Sequence, residues 1–501
     1  MKKLPASLFL SLLAISPALN AALEPASLFT DHMVLQRGMP VPVWGAADPG
    51  AEVTVEFAPL AGSAREGQKK TAEVGADEKW RVDLDAMSAT AEPHELRIRS
   101  TKDDAVKSFS DVVVGEVWIC SGQSNMQMPA TAGTPGLKDL MAKAENIRSF
   151  EVEKTVAFSE QEACRGEWKT TYPNSAVAMA FSYFLEEAAE VPVGIILTSW
   201  GSSSIEGWMS RDMTEELPHF RSIMEKFDAD EKLHGEIKTI LAKGAARERA
   251  EDIKLRTQPN IIFNAMMKPL APYACRGVVW YQGEANAKTP DSMQQYGVTL
   301  KLWMKRYREE WGREDLHFLV AMLPGYTNVP RPKSDGEVPT LRSWAYMREA
   351  QLTALALPGT GVANTIDLGD KKNIHPTDKV PVGQRLALLA QRDTLGMDIV
   401  AEGPVMKTAE AKGGEIIVSF DQSEGLTTKD GEAPKAFWVA DDSKKWVRAK
   451  AEIAGQTVVL KSEEVMKPLY VRYAFSAMPE VNLVNGAGLP ARPFRTDEFE
   501  P

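Results

Sequence analysis

Four short polar stretches in this chain carry residue types that could do chemistry together, and each follows an apolar run. Gly122-Gln123-Ser124-Asn125 follows Val117-Trp118-Ile119-Cys120. Gly201 sits in "TSWGSSSIEGW", Thr198 to Trp208, and Tyr281-Gln282-Gly283-Glu284 closes the run "GVVW". The last stretch holds Asp367-Leu368-Gly369-Asp370 and then Asn373-Ile374-His375-Pro376. Singly, none is diagnostic, because a serine after a strand is ordinarily a turn or cap residue. Together they supply a hydroxyl that can attack, an imidazole that can take its proton, and amide or backbone N–H groups for an oxyanion. The chemistry indicated is acyl transfer, with Ser124 as nucleophile and His375 as base. The Gly-x-Ser-x-Gly elbow is absent, since Met126 stands two residues after Ser124. Glycine patterns for binding dinucleotides or nucleotide phosphates are absent as well.

Such residues converge when they lie outside the carboxyl ends of parallel strands. The sequence predicts strands at "DVVVGEVWIC", "VPVGIILTSWG", "GVVWYQGEANA", "DLHFLVAML" and "GTGVANTIDLGD". Between them, "NSAVAMAFSYFLEEAAE", "QYGVTLKLWMKRYREEWG" and "VPVGQRLALLAQRDTLG" have the spacing of amphipathic helices. Continuously apolar strands alternating with helices imply an α/β fold with a doubly wound, mainly parallel sheet. We place this domain at residues 111–400, with a charged helical excursion at about 211–257. Short alternating runs over 23–110 and again over 401–501 indicate flanking antiparallel β domains.

Residues 1–22 carry Lys2 and Lys3, an apolar stretch from Leu8 to Ile15 and small residues around Ala18 to Ala22. That is the layout of a cleavable export signal, so the mature protein is expected in the periplasm or outside the cell. No later segment approaches the roughly 18 apolar residues of a membrane helix. Of the 501 residues 44% are hydrophobic and 25% charged, and the net charge of -11 argues against a nucleic-acid partner. Cys120, Cys164 and Cys275 allow at most one disulfide, and neither they nor the six histidines show metal-ligand spacing. No metal or cofactor is expected.

Three blocks, "GEVWICSGQSNMQ", "GVVWYQGEANA" and "DLGDKKNIHPTDKVPVGQRLAL", resemble those of the sialate O-acetylesterase family, within the SGNH-type (flavodoxin-like) carbohydrate esterases. The resemblance extends to "LFTDHMVLQRGMPVPVWGAADPG", "SAVAMAFSYFLEEA" and "YVRYAFSAMPEVNLVNGAGLPARPFRTD", nearly the whole mature chain. It implies a carboxylic ester hydrolase acting on an O-acetylated sugar, foremost O-acetylated sialic acid, through an acetyl-serine. It also implies an oxyanion site formed by the Ser124 N–H, Gly201 and Gln282. Trp200-Gly201-Ser202 departs from the family's frequent Trp-Gly-Gly, which leaves the donor at 201 or 202 open.

Many SGNH enzymes have aspartate three residues before the histidine, where this chain has Lys372. The second nitrogen of His375 still needs orienting. Asp370 could do so if its loop folds back; Asp367, Glu284 and a backbone carbonyl are rivals. Asn125, Glu284 and Trp200 are candidates for substrate binding, and Trp208, Trp280 and Tyr281 for stacking on a sugar or for core packing. Two further functions fit the same residues: esterase action on acetylated xylan or another plant polysaccharide, and sugar binding without catalysis.

Overall fold

In the computed structural model, residues 22–59, 67–102, 104–131, 133–244, 246–327, 339 and 344–499 are described. The leader expected over 1–22 therefore lies, Ala22 apart, outside the described residues. Apolar runs without alternation can be buried only between two layers, and the central sheet shows this. Val193–Ser199 and Gly277–Tyr281 are buried at every position. The sheet runs in the order Trp168–Lys169, Ile147–Glu151, Val193–Ser199, Val106–Gly122, Gly277–Tyr281, His317–Ala321 and Thr360–Ala363. All these neighbours pair in parallel except Trp168–Lys169, which is antiparallel.

Helices cover both faces. Trp118 is in register with Gly277, three residues before Trp280, so the two indoles leave the sheet on opposite sides. Trp118 packs edge-on against Phe181 of the helix Ala176–Ala189, whose N-cap Ser175 accepts from Ala178 N. On that side the helix Val380–Leu395 crosses so closely that a Cβ at Gly383 would lie 2.5 Å from Ala180 Cβ. Trp280 packs against Trp303 of the helix Pro290–Trp311, with ring centroids 4.5 Å apart. This helix starts at a Thr289–Ser292 capping box and ends at Gly312, whose φ of 60° suits a residue without a Cβ.

The flanking β regions are antiparallel except at Val34–Gln36, which pairs in parallel with Val113 to Gly115. Glu52–Pro59 pairs with Gln68–Glu73 and Thr90–Ser100, and Val41–Ala46 with Glu24–Pro25 and Lys79–Leu84. The expected boundary at 110/111 falls inside one continuous strand, Val106–Gly122. Its first half pairs with Thr90–Ser100 and its last seven residues, Glu116 to Gly122, with the parallel core. Beyond residue 400, Glu415–Asp421 pairs with Val405–Lys412 and Thr457–Lys461, and Phe437–Ala440 pairs with Tyr470–Tyr473. The excursion near 211–257 is helical, with Pro218–Asp228, Glu231–Ala242 and Arg249–Arg256. The three cysteines are free and buried. No helix among the described residues is long and apolar enough to cross a membrane.

Candidate active site

Three central strands are pinned together at their carboxyl ends. Gly122 has φ of 135°, and a Cβ there would collide with the Tyr281 carbonyl. Gly122 O accepts from Trp200 N, and Gln123 N donates to Tyr281 O, both at 3.0 Å. The chain then turns from strand into the short helix Ser124–Gln127, with Gln123 extended just before it. A strand, a tight glycine turn and a helix start leave Ser124 partly exposed. Ser124 Oγ lies 2.8 Å from His375 Nε2. Residues 251 positions apart in sequence thus meet at hydrogen-bond distance.

Gly201 closes the other side. A Cβ on it would lie 3.3 Å from Ser124 Cβ, so the glycine permits the approach. Its N–H donates to Gln127 Oε1 at 2.6 Å. Ser202, the alternative donor position, is exposed with φ of 62°.

Several expected residues sit elsewhere. Gln282 is fully buried, and its Nε2 has Asn286 Oδ1 at 2.9 Å, Gln123 Oε1 at 3.1 Å and Ser203 O at 3.2 Å. With two hydrogens and three acceptors, that amide is committed to bracing the loops and is not placed as an oxyanion donor. Asp370 is exposed, and its Oδ1 accepts from the N–H groups of Lys372 and Asn373, which hold its carboxyl below the usual range. It makes no bond to His375. Asp367 is held by Arg385 at 2.6 and 2.9 Å, and no carboxylate of the described residues hydrogen-bonds His375. The loop is set instead by Asn373 Oδ1, which accepts from His375 N at 2.9 Å.

The candidates for sugar contact are corrected similarly. Trp200, Trp208, Trp280 and Tyr281 are all fully buried, so none offers a ring face to a sugar. Asn125 is fully buried as well; its Nδ2 donates to Glu284 Oε1 and, at 3.1 Å, to Ile374 O. Asn125 Oδ1 accepts from Lys379 Nζ at 2.6 Å. Glu284 Oε2 is buried without a hydrogen-bond partner, and burial pushes that carboxyl up against the opposing pull of its own N–H, Asn125 and Lys379.

Sequence reasoning missed Lys379. It is buried at the N-cap of Val380–Leu395, and its ammonium lies 5.3 Å from the Tyr281 ring centroid. Burial lowers its pKa to about 8, with Glu284 and Asp378 opposing. The available signal was a cation at a helix start, the reverse of the usual charge bias. His375 in turn is pushed below its ordinary value, first by burial and then by Lys379.

Residues 257–392, which contain Gln282, Glu284, His375 and Lys379, match the family model described as "Carbohydrate esterase, sialic acid-specific acetylesterase". The chain is 28% identical to mouse sialate O-acetylesterase over 91% of this chain and 90% of that protein. For the human sialate O-acetylesterase the values are 27%, 94% and 91%. A solved carbohydrate acetylesterase from Xanthomonas citri is 32% identical, with a TM-score of 0.79, covering 95% of this chain and all of that one. The chain belongs to the sialate O-acetylesterase family of carbohydrate esterases. As a member it is a carboxylic ester hydrolase for acetylated carbohydrate, and Ser124 and His375 are the groups in its strand-end loops that meet at bonding distance.

Proposed function

We propose that this esterase removes acetyl groups from O-acetylated sialic acid through an acetyl-Ser124 intermediate, in an SGNH-type site. The 2.8 Å contact between Ser124 Oγ and His375 Nε2 carries the reading. In the neutral tautomer with its proton on Nδ1, His375 accepts the Ser124 proton as Oγ bonds to the acetyl carbon. The carbonyl oxygen takes the negative charge and is met by the N–H groups of Ser124 and Gly201, the latter after Gln127 Oε1 gives way. The bond to the sugar oxygen then breaks, and the sugar leaves with the proton from His375. Water, deprotonated by His375, repeats the attack and releases acetate and free Ser124.

A depressed His375 pKa supports this role, because the imidazole then stays neutral down into mildly acidic solution. The sugar is read from relatives named for sialate, and the leader-like residues 1–22 fit action in the periplasm or beyond. Ser124→Ala should lower acetate release about 10⁵-fold with an unchanged circular-dichroism spectrum. Substantial activity in that variant would end the serine assignment. A panel of O-acetylated sialic acid against acetylated xylo-oligosaccharides decides the sugar. Turnover confined to the xylo-oligosaccharides would reassign the substrate, and binding without acetate release would reassign the class.

A further inference from the structure

Lys379 occupies a position that two rules disfavour. Burial penalises an ammonium, and the N-terminal end of a helix repels a cation. Local rules are broken chiefly where function holds the residue in place. Lys379 Nζ donates to Asn125 Oδ1 at 2.6 Å, and Asn125 directly follows Ser124. The Nδ2 of the same carboxamide donates to Ile374 O, directly before His375, and to Glu284 Oε1. One buried side chain therefore joins the serine helix, the histidine loop and the Gln-Gly-Glu loop.

We propose that Lys379 is a positioning residue: gripping Asn125, it fixes that carboxamide between Ser124 and Ile374 and so sets His375 against the serine without a carboxylate partner. The proposal rests on the Ser124–His375 reading above. An amide left to rotate could exchange its oxygen and nitrogen. A cation on Oδ1 and a carboxyl on Nδ2 leave one orientation, the one that donates to Ile374 O. Among the described residues the charged groups around His375 are few, and Lys371 and Lys372 before it are exposed. Lys379 and Asp378 lie on its own segment, Glu284 faces Lys379 from the Tyr281 strand end, and Ser124-Asn125-Met126-Gln127 brings no charge. Asp370 faces solvent.

The test measures acetate release against pH for the full chain and for Lys379→Met, Asn125→Ser, their double variant and Ser124→Ala. Misplacing the base should cost Lys379→Met and Asn125→Ser about 10²-fold each in kcat with little change in KM. The double variant should lose no more than either single one, because both act through one carboxamide. Removing the Lys379 charge should move the acid limb of kcat/KM to higher pH, whereas Asn125→Ser, which keeps the cation, should leave the limb in place. Undiminished kcat in both single variants, multiplied losses in the double variant, or an unmoved limb in Lys379→Met overturns the proposal. If Lys379→Met does not fold, Asn125→Ser decides: reduced kcat with the wild-type limb supports it, and undiminished kcat overturns it. Activity surviving in Ser124→Ala would instead bring down the reading beneath it.

Discussion

Two glutamates, Glu116 fully buried and Glu284 half-buried, flank opposite ends of one run of chain and are treated in opposite ways. Glu116, inside the strand Val106–Gly122, is fully buried, and both its oxygens are engaged. Arg37 Nε donates to Oε1 at 2.7 Å, and Arg276 donates to both oxygens at 3.1 Å. Glu284, beside the serine helix that ends this run, has one oxygen on Asn125 and the other buried without a partner. At Glu116 the charges are paired and satisfied, which ties the N-terminal β region to the core. Around Glu284 and Lys379 the pairing is incomplete, and burial pushes both groups toward neutrality. Incomplete satisfaction is costly in a fold, and it sits at the site where chemistry is expected.

That contrast can be broken by mutation. Glu116→Gln leaves two arginines uncompensated, which typically costs 3–5 kcal/mol in a buried pair. Here the arginine side chains are 26% and 19% exposed, so the low end, about 3 kcal/mol, is expected in urea unfolding. Activity per folded molecule should be unchanged, and a comparable loss of kcat would erase the distinction between the two clusters. A smaller effect sharpens the active-site side. Since His375 works neutral and its pKa lies below 6.5, kcat/KM should stay level at neutral pH and fall about tenfold per unit only below that range. Stability should fall as the pH drops from the ordinary histidine range to the onset of that acid limb, because the unfolded chain, with the higher histidine pKa, takes up the proton first. It should level off once the folded form is protonated too. An acid limb above pH 6.5 would contradict this. The smallest effect belongs to Asp370→Ala. With Asp370 exposed and bonded only to local backbone, kcat should change by no more than about twofold, a typical result away from the reacting atoms. A 10³-fold loss would restore Asp370 as the partner of His375.

The sequence made the strand ends legible because continuous apolar runs broke into short polar turns, and Ser124 and His375 stood in two of those turns. What it concealed was burial. Asn125, Glu284 and Trp200 are polar or aromatic residues just beyond strand ends, where the chain is ordinarily solvated. Here three strand ends and two helix starts converge, so the loops are packed and their side chains turn inward. Gln282 misled for the same reason: an amide beside the site was occupied by neighbours from other loops, a fact no linear pattern contains. Lys379 stands in the polar stretch "HPTDK", and its place at the helix start is the one local feature that sets it apart. The texture of the sequence changes near 110, but no turn signal divides "SFSDVVVGEVWIC", and one strand runs through that point.

That unbroken strand has a mechanical consequence. Val106–Gly122 is hydrogen-bonded into the N-terminal sheet at one end and the parallel core at the other, with one irregular residue along it, Asp111, whose φ is 53°. The two regions share this strand, so they cannot separate without breaking its hydrogen bonds to one of them. Ser124 lies partly exposed just beyond the end of this strand, so access to it does not depend on parting the two regions, and the shared strand holds the strand-end loops on a common platform.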